Sequence, residues 1–218
     1  MIGIVETGAG NLTSVRAALD RLGRTHATLA TPDTDGVDAL VVPGQGHFGA
    51  VMDRLDQTGW RQALLGWIAE DRPLLGICVG QQILFEGSEE APEAAGLGVL
   101  AGRVERLDFP KRPMVGWAPV EWAEGEDLAP GDAYFVNSFA VRDSDAAISR
   151  VTYGETFVAA VRRGRVLGVQ FHPEKSGAWG QSLLGRLLAT DSADLGASVG
   201  GLTEAGGVGR ARSNDEAR

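Results

Sequence analysis

The single cysteine of the chain lies in a pattern that is typical of a catalytic nucleophile. Cys78 stands between two glycines in the segment Gly76-Ile77-Cys78-Val79-Gly80, where an apolar run passes into a helical pattern. In serine hydrolases this spacing forms a tight strand-to-helix turn that projects the nucleophile above the sheet, and the start of a helix favours the negative charge of a thiolate. A lone cysteine is more often a small buried apolar residue, but the flanking glycines favour the nucleophile.

A thiol nucleophile requires a base, and the candidate is His172, which follows the apolar run 166–171. Residues two apart in an extended segment project to the same side. Glu174 is therefore placed to orient the imidazole while the imidazole takes and returns a proton. The alternative, that His172 only caps a strand before a turn proline, stays open on residue chemistry alone. The other histidines have weaker cases, because His26 lies in a polar turn and His47 at a helix start.

Backbone N–H groups for an oxyanion hole are predicted in two places. The segment Pro43-Gly44-Gln45-Gly46 closes an apolar run, and its glycines allow N–H groups to turn outward. The N–H of Val79, directly after the nucleophile, would be the other donor. Taken alone, a glycine-rich turn is more often only a turn.

These motifs must be positioned by the elements that precede them. Apolar runs at 2–6, 37–42 and 73–78 alternate with stretches of helical spacing, which predicts an α/β fold with an open, mostly parallel sheet and helices on both faces. Further strand-like stretches predict added antiparallel strands and a return strand; they span 115–122, 133–141, 146–152, 157–162 and 166–171. Ligands bind at the carboxyl ends of strands in open α/β folds, and each of the three motifs follows a predicted strand.

Composition excludes several other classes of protein. The 218 residues carry 20 Lys+Arg against 29 Asp+Glu, a net charge of −9, so no broad basic surface for nucleic acid is expected. One cysteine and three scattered histidines predict neither a disulfide nor a metal site. The loop 8–13 begins like a dinucleotide-binding turn, but Thr13 stands where the third glycine belongs, so no cofactor is expected.

The chain also shows no signal for a membrane. No run reaches the roughly 18 apolar residues of a membrane span, and the first residues lack the pattern of a secretory signal, so a cytoplasmic protein without membrane contact is expected. Residues 1–190 are predicted to form one domain. Residues 191–218 lose apolar periodicity under Gly, Ala, Ser and charges, which predicts a disordered tail.

Taken together, the ordered motifs resemble the class-I glutamine amidotransferases, and most closely the glutaminase subunits of imidazole glycerol phosphate synthases. The segments 76–82 and 171–174 carry the likeness to the superfamily. Those that point to the subunit are 10–15, 43–49, 84–90, 115–117 and 175–177. The likeness spans residues 1–190 and implies one amidotransferase domain.

The resemblance implies a role for each site residue. Cys78 would be the nucleophile that forms a thioester with glutamine, His172 the general base and acid, and Glu174 its orienting carboxylate. The oxyanion hole would use the backbone at Gly44, Gln45 and Val79. The glutamine pocket would be formed by Gly46, Gln82, Glu90, Ser138 and Phe139. No cofactor or metal is implied.

The resemblance further implies a heterodimer with a (β/α)8-barrel cyclase subunit, which would consume the ammonia released from glutamine. Positions expected at or near that interface are Asn11, Trp117 and Lys175. The chain departs from the usual family residues at Glu6-Thr7, at Gln45 between the two glycines, and at Asn137. Other readings remain open: an amidotransferase of another pathway, a free-standing cysteine hydrolase of the same fold, or a non-catalytic interaction module.

Overall fold

The computed structural model describes residues 1–8, 12–109 and 112–189. The predicted tail at 191–218 and the predicted interface residue Asn11 lie outside these ranges. The domain boundary at 190 stays a prediction.

The described residues form strands and helices that alternate in the first part of the chain and are mostly strands in the second. The strands are β1 (Ile2–Val5), β2 (His26–Leu29), β3 (Ala39–Gly44), β4 (Leu74–Cys78), β5 (Gly87–Ser88), β6 (Ala91–Ala95), β7 (Arg103–Arg106), β8 (Met114–Trp122), β9 (Gly131–Asn137), β10 (Phe139–Ala140), β11 (Ala147–Tyr153), β12 (Glu155–Arg163) and β13 (Val166–Val169). The helices are α1 (Leu12–Arg21), α2 (Phe48–Thr58), α3 (Trp60–Ala69), α4 (Val79–Gln82) and α5 (Gly177–Leu187), with a 3-10 turn at Pro173–Lys175.

The larger sheet has nine strands in the order β2-β1-β3-β4-β13-β12-β11-β8-β9. Its first five strands pair in parallel and the remaining pairs are antiparallel. The connection from β1 to β2 contains α1, and the connection from β3 to β4, which runs in the opposite direction along the sheet, contains α2 and α3. Right-handed crossovers therefore place α1 on one face and α2 and α3 on the other. Helix α5 joins α1, because Gln181 Nε2 donates to the Ala18 carbonyl oxygen at 2.7 Å.

Burial in the centre of the sheet follows from this layering. Every residue of β3, β4 and β13 is buried, as expected for parallel strands covered on both faces. These three strands are neighbours, with Gly44 opposite Cys78 and Val169 opposite Ile77. Their carboxyl ends meet at one edge of the sheet. Three segments therefore come together there: residues 43–46, called the oxyanion segment here after its predicted role, the turn at Cys78, and the segment leading to His172.

Two parts of the fold differ from the sequence expectation. The stretch 133–141, expected as one strand, divides at Ser138 because β9 pairs with β8 as far as Asn137, whereas β10 pairs with β7 in a second sheet of order β10-β7-β5-β6. The helical pattern that follows Cys78 forms only a short helix, which ends at Gln82. Both breaks lie beside the cavity described below.

Candidate active site

Cys78 occupies a strained turn between β4 and α4. Its backbone has φ 56° and ψ −111°, and it is the N-cap of the short helix. A non-glycine residue at positive φ is rare outside special sites and costs about 1–3 kcal/mol. The side chain is 4% exposed and lines a cavity of about 450 Å³. The predicted strand-to-helix turn is therefore present, and it directs the thiol into a cavity rather than into the core.

Three glycines allow the backbones around this turn to touch. A Cβ at Gly80 would overlap the carbonyl oxygen of Val42, and a Cβ at Gly76 would overlap the carbonyl oxygen of Gly80. A Cβ at Gly44 would lie 2.5 Å from the Gly80 nitrogen. The turn is possible because β3, β4 and α4 meet where side chains are absent.

His172 and Glu174 form a buried pair beside the thiol. The imidazole Nδ1 and the carboxylate Oε1 lie 2.9 Å apart, and the two side chains are 2% and 3% exposed. An ionised carboxylate only accepts, so Nδ1 carries the hydrogen in this contact. The opposite nitrogen, Nε2, is buried without a hydrogen-bond partner among the described residues, and it is the atom available to exchange a proton.

The backbone of His172 is held by the middle of β9. Its N–H donates to the Tyr134 carbonyl oxygen at 2.9 Å. The Ser176 hydroxyl donates to the His172 carbonyl oxygen at 2.7 Å and accepts from the Tyr134 N–H at 3.0 Å. The segment that carries His172 is thus tied to an antiparallel strand on one side and to the start of α5 on the other.

The electrostatics of this pair favour a charged imidazole. Burial lowers the pKa of His172, but interaction with the neighbouring Cys78 sulfur and with the hydrogen-bonded Glu174 carboxylate outweighs it and raises the pKa from 6.5 to about 9. At neutral pH the favoured state therefore has an imidazolium next to the sulfur. That arrangement supplies both a nucleophile and a proton for a leaving group.

This pKa predicts a pH-dependent contribution to stability. The folded pKa lies above the unfolded value, so the contribution is complete below pH 6.5 and is lost as the pH rises through 9. The free energy of unfolding of the wild type minus that of His172→Asn should fall by about 3 kcal/mol across this window, the size of a shift of that magnitude. Urea unfolding of both proteins on either side of the window measures it; a difference independent of pH would contradict the assignment.

The oxyanion segment lies on the opposite side of the thiol. Gly44 pairs with Cys78 in the sheet, while Gln45, Gly46 and Val79 line the cavity. The buried Thr7 hydroxyl donates to the carbonyl oxygen of Pro43 at 3.0 Å. The departure from the family pattern at Thr7 therefore ties the end of β1 to the strand that leads into the oxyanion segment.

All five residues expected to bind glutamine line the same cavity. They are Gly46, Gln82, Glu90, Ser138 and Phe139. Ser138 and Phe139 reach it because β9 ends at Asn137 and the chain turns into the smaller sheet. A cavity of about 450 Å³ is at the lower end of small-ligand sites and has room for one amino acid.

Glu90 brings a negative charge to the cavity and is held by α2. Its Oε2 accepts a hydrogen bond from the Phe48 N–H at 2.7 Å, where the positive end of the helix dipole favours a carboxylate. His47 caps the same helix end, with Nδ1 accepting from the Gly49 N–H at 3.2 Å. His47 is thus a helix cap, in agreement with its weak case as a base.

Several residues at the site were not predicted from the sequence as parts of it. Gln170 Nε2 lies 3.6 Å from Cys78 Sγ, and the Val136 carbonyl oxygen lies 3.9 Å from the same sulfur. Asn137 Nδ2 donates to the Phe139 carbonyl oxygen at 3.3 Å. A signal for Gln170 was available, since it lies in the predicted strand 166–171, two residues before His172, and residues two apart in a strand project to the same side.

Within 1–8, 12–109 and 112–189, no group of three or more His, Cys, Asp or Glu side chains is arranged to hold a metal ion. No helix in these ranges is both long and apolar enough to cross a bilayer.

Comparison with known proteins gives a consistent result. The family described as glutamine amidotransferase class-I matches residues 13–186. The imidazole glycerol phosphate synthase subunit HisH of Shouchella clausii is 41% identical over 203 residues, covering 85% of this chain and 96% of that protein. The chloroplastic imidazole glycerol phosphate synthase hisHF of Arabidopsis thaliana is 41% identical over 200 residues, covering 86% of this chain but 34% of that longer protein.

A solved structure described as a glutamine amidotransferase has a TM-score of 0.70 to this chain at 26% identity, covering 84% of this chain and 95% of the other. The resemblance predicted from the motifs and the predicted α/β fold are both confirmed by these similarities.

Proposed function

The chain belongs to the class-I glutamine amidotransferases, and from this premise we propose that it is the glutaminase subunit of an imidazole glycerol phosphate synthase. It hydrolyses glutamine to glutamate and ammonia and supplies the ammonia to a cyclase subunit in histidine biosynthesis. The observation that carries the proposal is that Cys78, at a strained strand-to-helix turn, shares an amino-acid-sized cavity with His172, whose imidazole is bonded to the buried Glu174.

The chemistry follows from the positions of these groups. The Cys78 sulfur attacks the side-chain amide carbon of glutamine, and the negative oxygen that forms is stabilised by N–H groups of Val79 and the segment at Gly44 and Gln45. His172 Nε2–H protonates the amide nitrogen as the carbon–nitrogen bond breaks, so that the nitrogen leaves as ammonia and the γ-glutamyl group remains on the Cys78 sulfur as a thioester. The imidazole then takes a proton from water, and the resulting hydroxide releases glutamate and frees the sulfur.

Glu90 is proposed to bind the α-ammonium group of the substrate. One oxygen, Oε2, is bonded to the Phe48 N–H, and the carboxylate charge remains available to a cation in the cavity. Gln82 supports the other wall, because its Nε2 donates to the Phe139 carbonyl oxygen at 3.0 Å. A charged partner for the ammonium selects amino acids over simple amides.

Glu90→Gln tests this role. The glutamine side chain can still accept from the Phe48 N–H but carries no charge, so KM for glutamine should rise by about 10- to 100-fold, the value of a hydrogen bond to a charged group. We expect kcat to change by less than about threefold, because the interaction is made equally in ground and transition states. Steady-state kinetics with the cyclase present separates the two constants; an unchanged KM with a large loss of kcat would contradict the assignment.

The released ammonia implies a partner. At neutral pH ammonia in water becomes mostly ammonium, which is not a nucleophile, so a useful product requires an enclosed path to a second site. We propose a (β/α)8-barrel cyclase subunit in a heterodimer. The length of the Arabidopsis relative named hisHF, of which this chain covers 34%, supports a second functional part.

The proposed interface lies on β8 and beside the cavity. Val115 and Trp117 are 57% and 55% exposed, among the largest exposures of apolar side chains in the described residues. Such neighbouring apolar exposure is typical of a docking surface. Trp117 contacts the ring of Tyr134, whose backbone holds the His172 segment, and Lys175 lines the mouth of the cavity. A partner on this face is therefore next to the catalytic base. We place the complex in the cytoplasm, where a free thiol nucleophile stays reduced.

Glutamate release by the purified chain, alone and with a barrel cyclase and its ligand, tests the proposed function. We expect low release by the chain alone and high release in the complex. Substantial release by the chain alone would instead favour a free-standing cysteine hydrolase of the same fold. Release that only the cyclase of another pathway stimulates would indicate an amidotransferase of that pathway.

A further inference from the structure

A second buried glutamine contacts the catalytic sulfur. Gln170 follows β13 and is completely buried. Its backbone N–H donates to the Ala159 carbonyl oxygen at 2.8 Å, which holds the residue against β12. Its side-chain Nε2 lies 3.6 Å from Cys78 Sγ, within the range of a hydrogen bond to sulfur.

The orientation of the Gln170 amide is set by its neighbours. The Phe139 carbonyl oxygen can only accept, so the atom of Gln82 that lies 3.0 Å from it must be the amide nitrogen. The same Gln82 nitrogen lies 2.9 Å from the Gln170 side chain, which must therefore present its oxygen. The Gln170 nitrogen is then directed at the sulfur. The Phe139 carbonyl oxygen fixes the orientation of the Gln82 amide, and the Gln82 amide in turn fixes that of Gln170.

We propose that Gln170 is a further catalytic residue, whose side-chain N–H donates to the Cys78 sulfur and stabilises the thiolate, with Gln82 fixing the orientation of the donor. The proposal rests on the proposed function, in which Cys78 is the nucleophile. An N–H group bonds more strongly to an anion than to a neutral thiol, and an amide nitrogen cannot take the thiol proton. The contact therefore favours the reactive form without competing with His172 for the proton.

Other charged groups lie at or next to the same cavity. His172 and Lys175 line it from the segment after β13, Glu90 lines it after β5, and Glu174, in the 3-10 turn, is bonded to His172. None of these groups is changed by a substitution at Gln170. A comparison of variants at each pH therefore isolates the contribution of the amide.

The chain contains one cysteine, so alkylation reports Cys78 alone. We propose to measure the rate of alkylation by iodoacetamide against pH for the full chain and for Gln170→Met, which keeps the length of the side chain and removes the donor. At neutral pH the Gln170→Met rate should be about tenfold lower, the value of a hydrogen bond to a charged group. At high pH, where the thiol ionises in both proteins, the two rates should converge.

Two further variants sharpen the test. Gln170→Glu places a negative charge next to the sulfur and should lower the neutral rate further than Gln170→Met. The matched control is Gln81→Met. Gln81 is a buried glutamine in α4, next to Gln82, and its side-chain amide has no hydrogen-bond partner among the described residues. Its alkylation profile should follow that of the wild type.

Equal profiles for Gln170→Met and the wild type, or a loss by the same factor at every pH, would overturn the proposal. If Gln170→Met does not fold, as judged by circular dichroism, the Gln170→Glu profile decides: a wild-type profile overturns it and a pH-dependent loss supports it. Failure of the proposed function is a separate result, seen when wild-type Cys78 alkylates as expected but the complex with the cyclase releases no glutamate.

Discussion

Replacing Cys78 with alanine is expected to abolish glutamine-dependent synthesis by the complex with the cyclase while synthesis from added ammonium salts continues. Without the sulfur no thioester forms, and the remaining members of the proposed triad, His172 and Glu174, cannot act alone. Loss of a nucleophile in triad hydrolases lowers kcat by a factor on the order of 10⁶, so the expected activity with glutamine is near background. Product formation from each nitrogen source, measured in the same preparation, gives both numbers.

The ammonium-dependent reaction is the internal control for the Cys78→Ala variant. It needs the cyclase and an intact complex but no glutaminase. Unchanged synthesis from glutamine would show that the chemistry lies elsewhere and would revive a non-catalytic role for the chain. Loss of both reactions would show that the substitution damaged the complex, and the assignment of Cys78 would then lack support.

Gly80→Ala is expected to remove glutaminase activity from a distance of two residues. The added Cβ overlaps the Val42 carbonyl oxygen, which is rigid backbone at the centre of the sheet. Helix α4 must then move away from β3 and displace the turn that carries Cys78. We expect a loss of kcat of at least about 100-fold, since small displacements of a nucleophile have effects of that size, and destabilisation by about 1–3 kcal/mol from overpacking.

A matched variant shows that the effect depends on position. Gly66 lies in α3, and a Cβ there meets no atom within 4 Å. Gly66→Ala should keep full activity and stabilise the protein by about 0.5–1 kcal/mol, as expected for this change within a helix. Urea unfolding and glutamate release are measured for both variants. Wild-type activity in Gly80→Ala would contradict the proposed role of close backbone contact in forming the turn.

Much of the catalytic edge was predictable because its signals are local. Two glycines around Cys78 indicated a strained turn, and the structure places this residue at φ 56°. The apolar runs at β3, β4 and β13 predicted parallel strands whose carboxyl ends lie at one edge of the sheet. In the structure these three strands are parallel and adjacent. The predicted pairing of His172 with Glu174 is present, but its assumed extended backbone is not, because Glu174 lies in the 3-10 turn Pro173–Lys175.

The second sheet was not predictable from patterns of this kind. Its strands β5 and β10 have two residues each, too few to show an alternation. Strand β6 reads Ala-Pro-Glu-Ala-Ala and has no apolar face that a period of two would reveal. Yet the chain leaves β9 at Ser138 to enter this sheet, and Ser138 and Phe139 thereby form one wall of the cavity.

Contacts between distant segments were also beyond the sequence patterns. The roles of Thr7 on the Pro43 carbonyl and of Asn137 on the Phe139 carbonyl depend on which strands are neighbours. Gln170 is the instructive case, because the spacing rule used to predict the pairing of His172 with Glu174 could have been applied to it as well. The rule gave the side to which Gln170 projects, but only the positions of Gln82 and Phe139 show which atom of its amide meets the sulfur.

The covalent intermediate on Cys78 is the most direct test of the proposed chemistry. The complex with the cyclase and its ligand is mixed with glutamine, quenched in acid during turnover, digested and analysed by mass spectrometry. We expect the peptide that contains Cys78 to gain the mass of one γ-glutamyl group, and this gain to be absent in Cys78→Ala. Rapid glutamate release with an unmodified Cys78 peptide, at quench times when the intermediate should be populated, would contradict a reaction through a thioester.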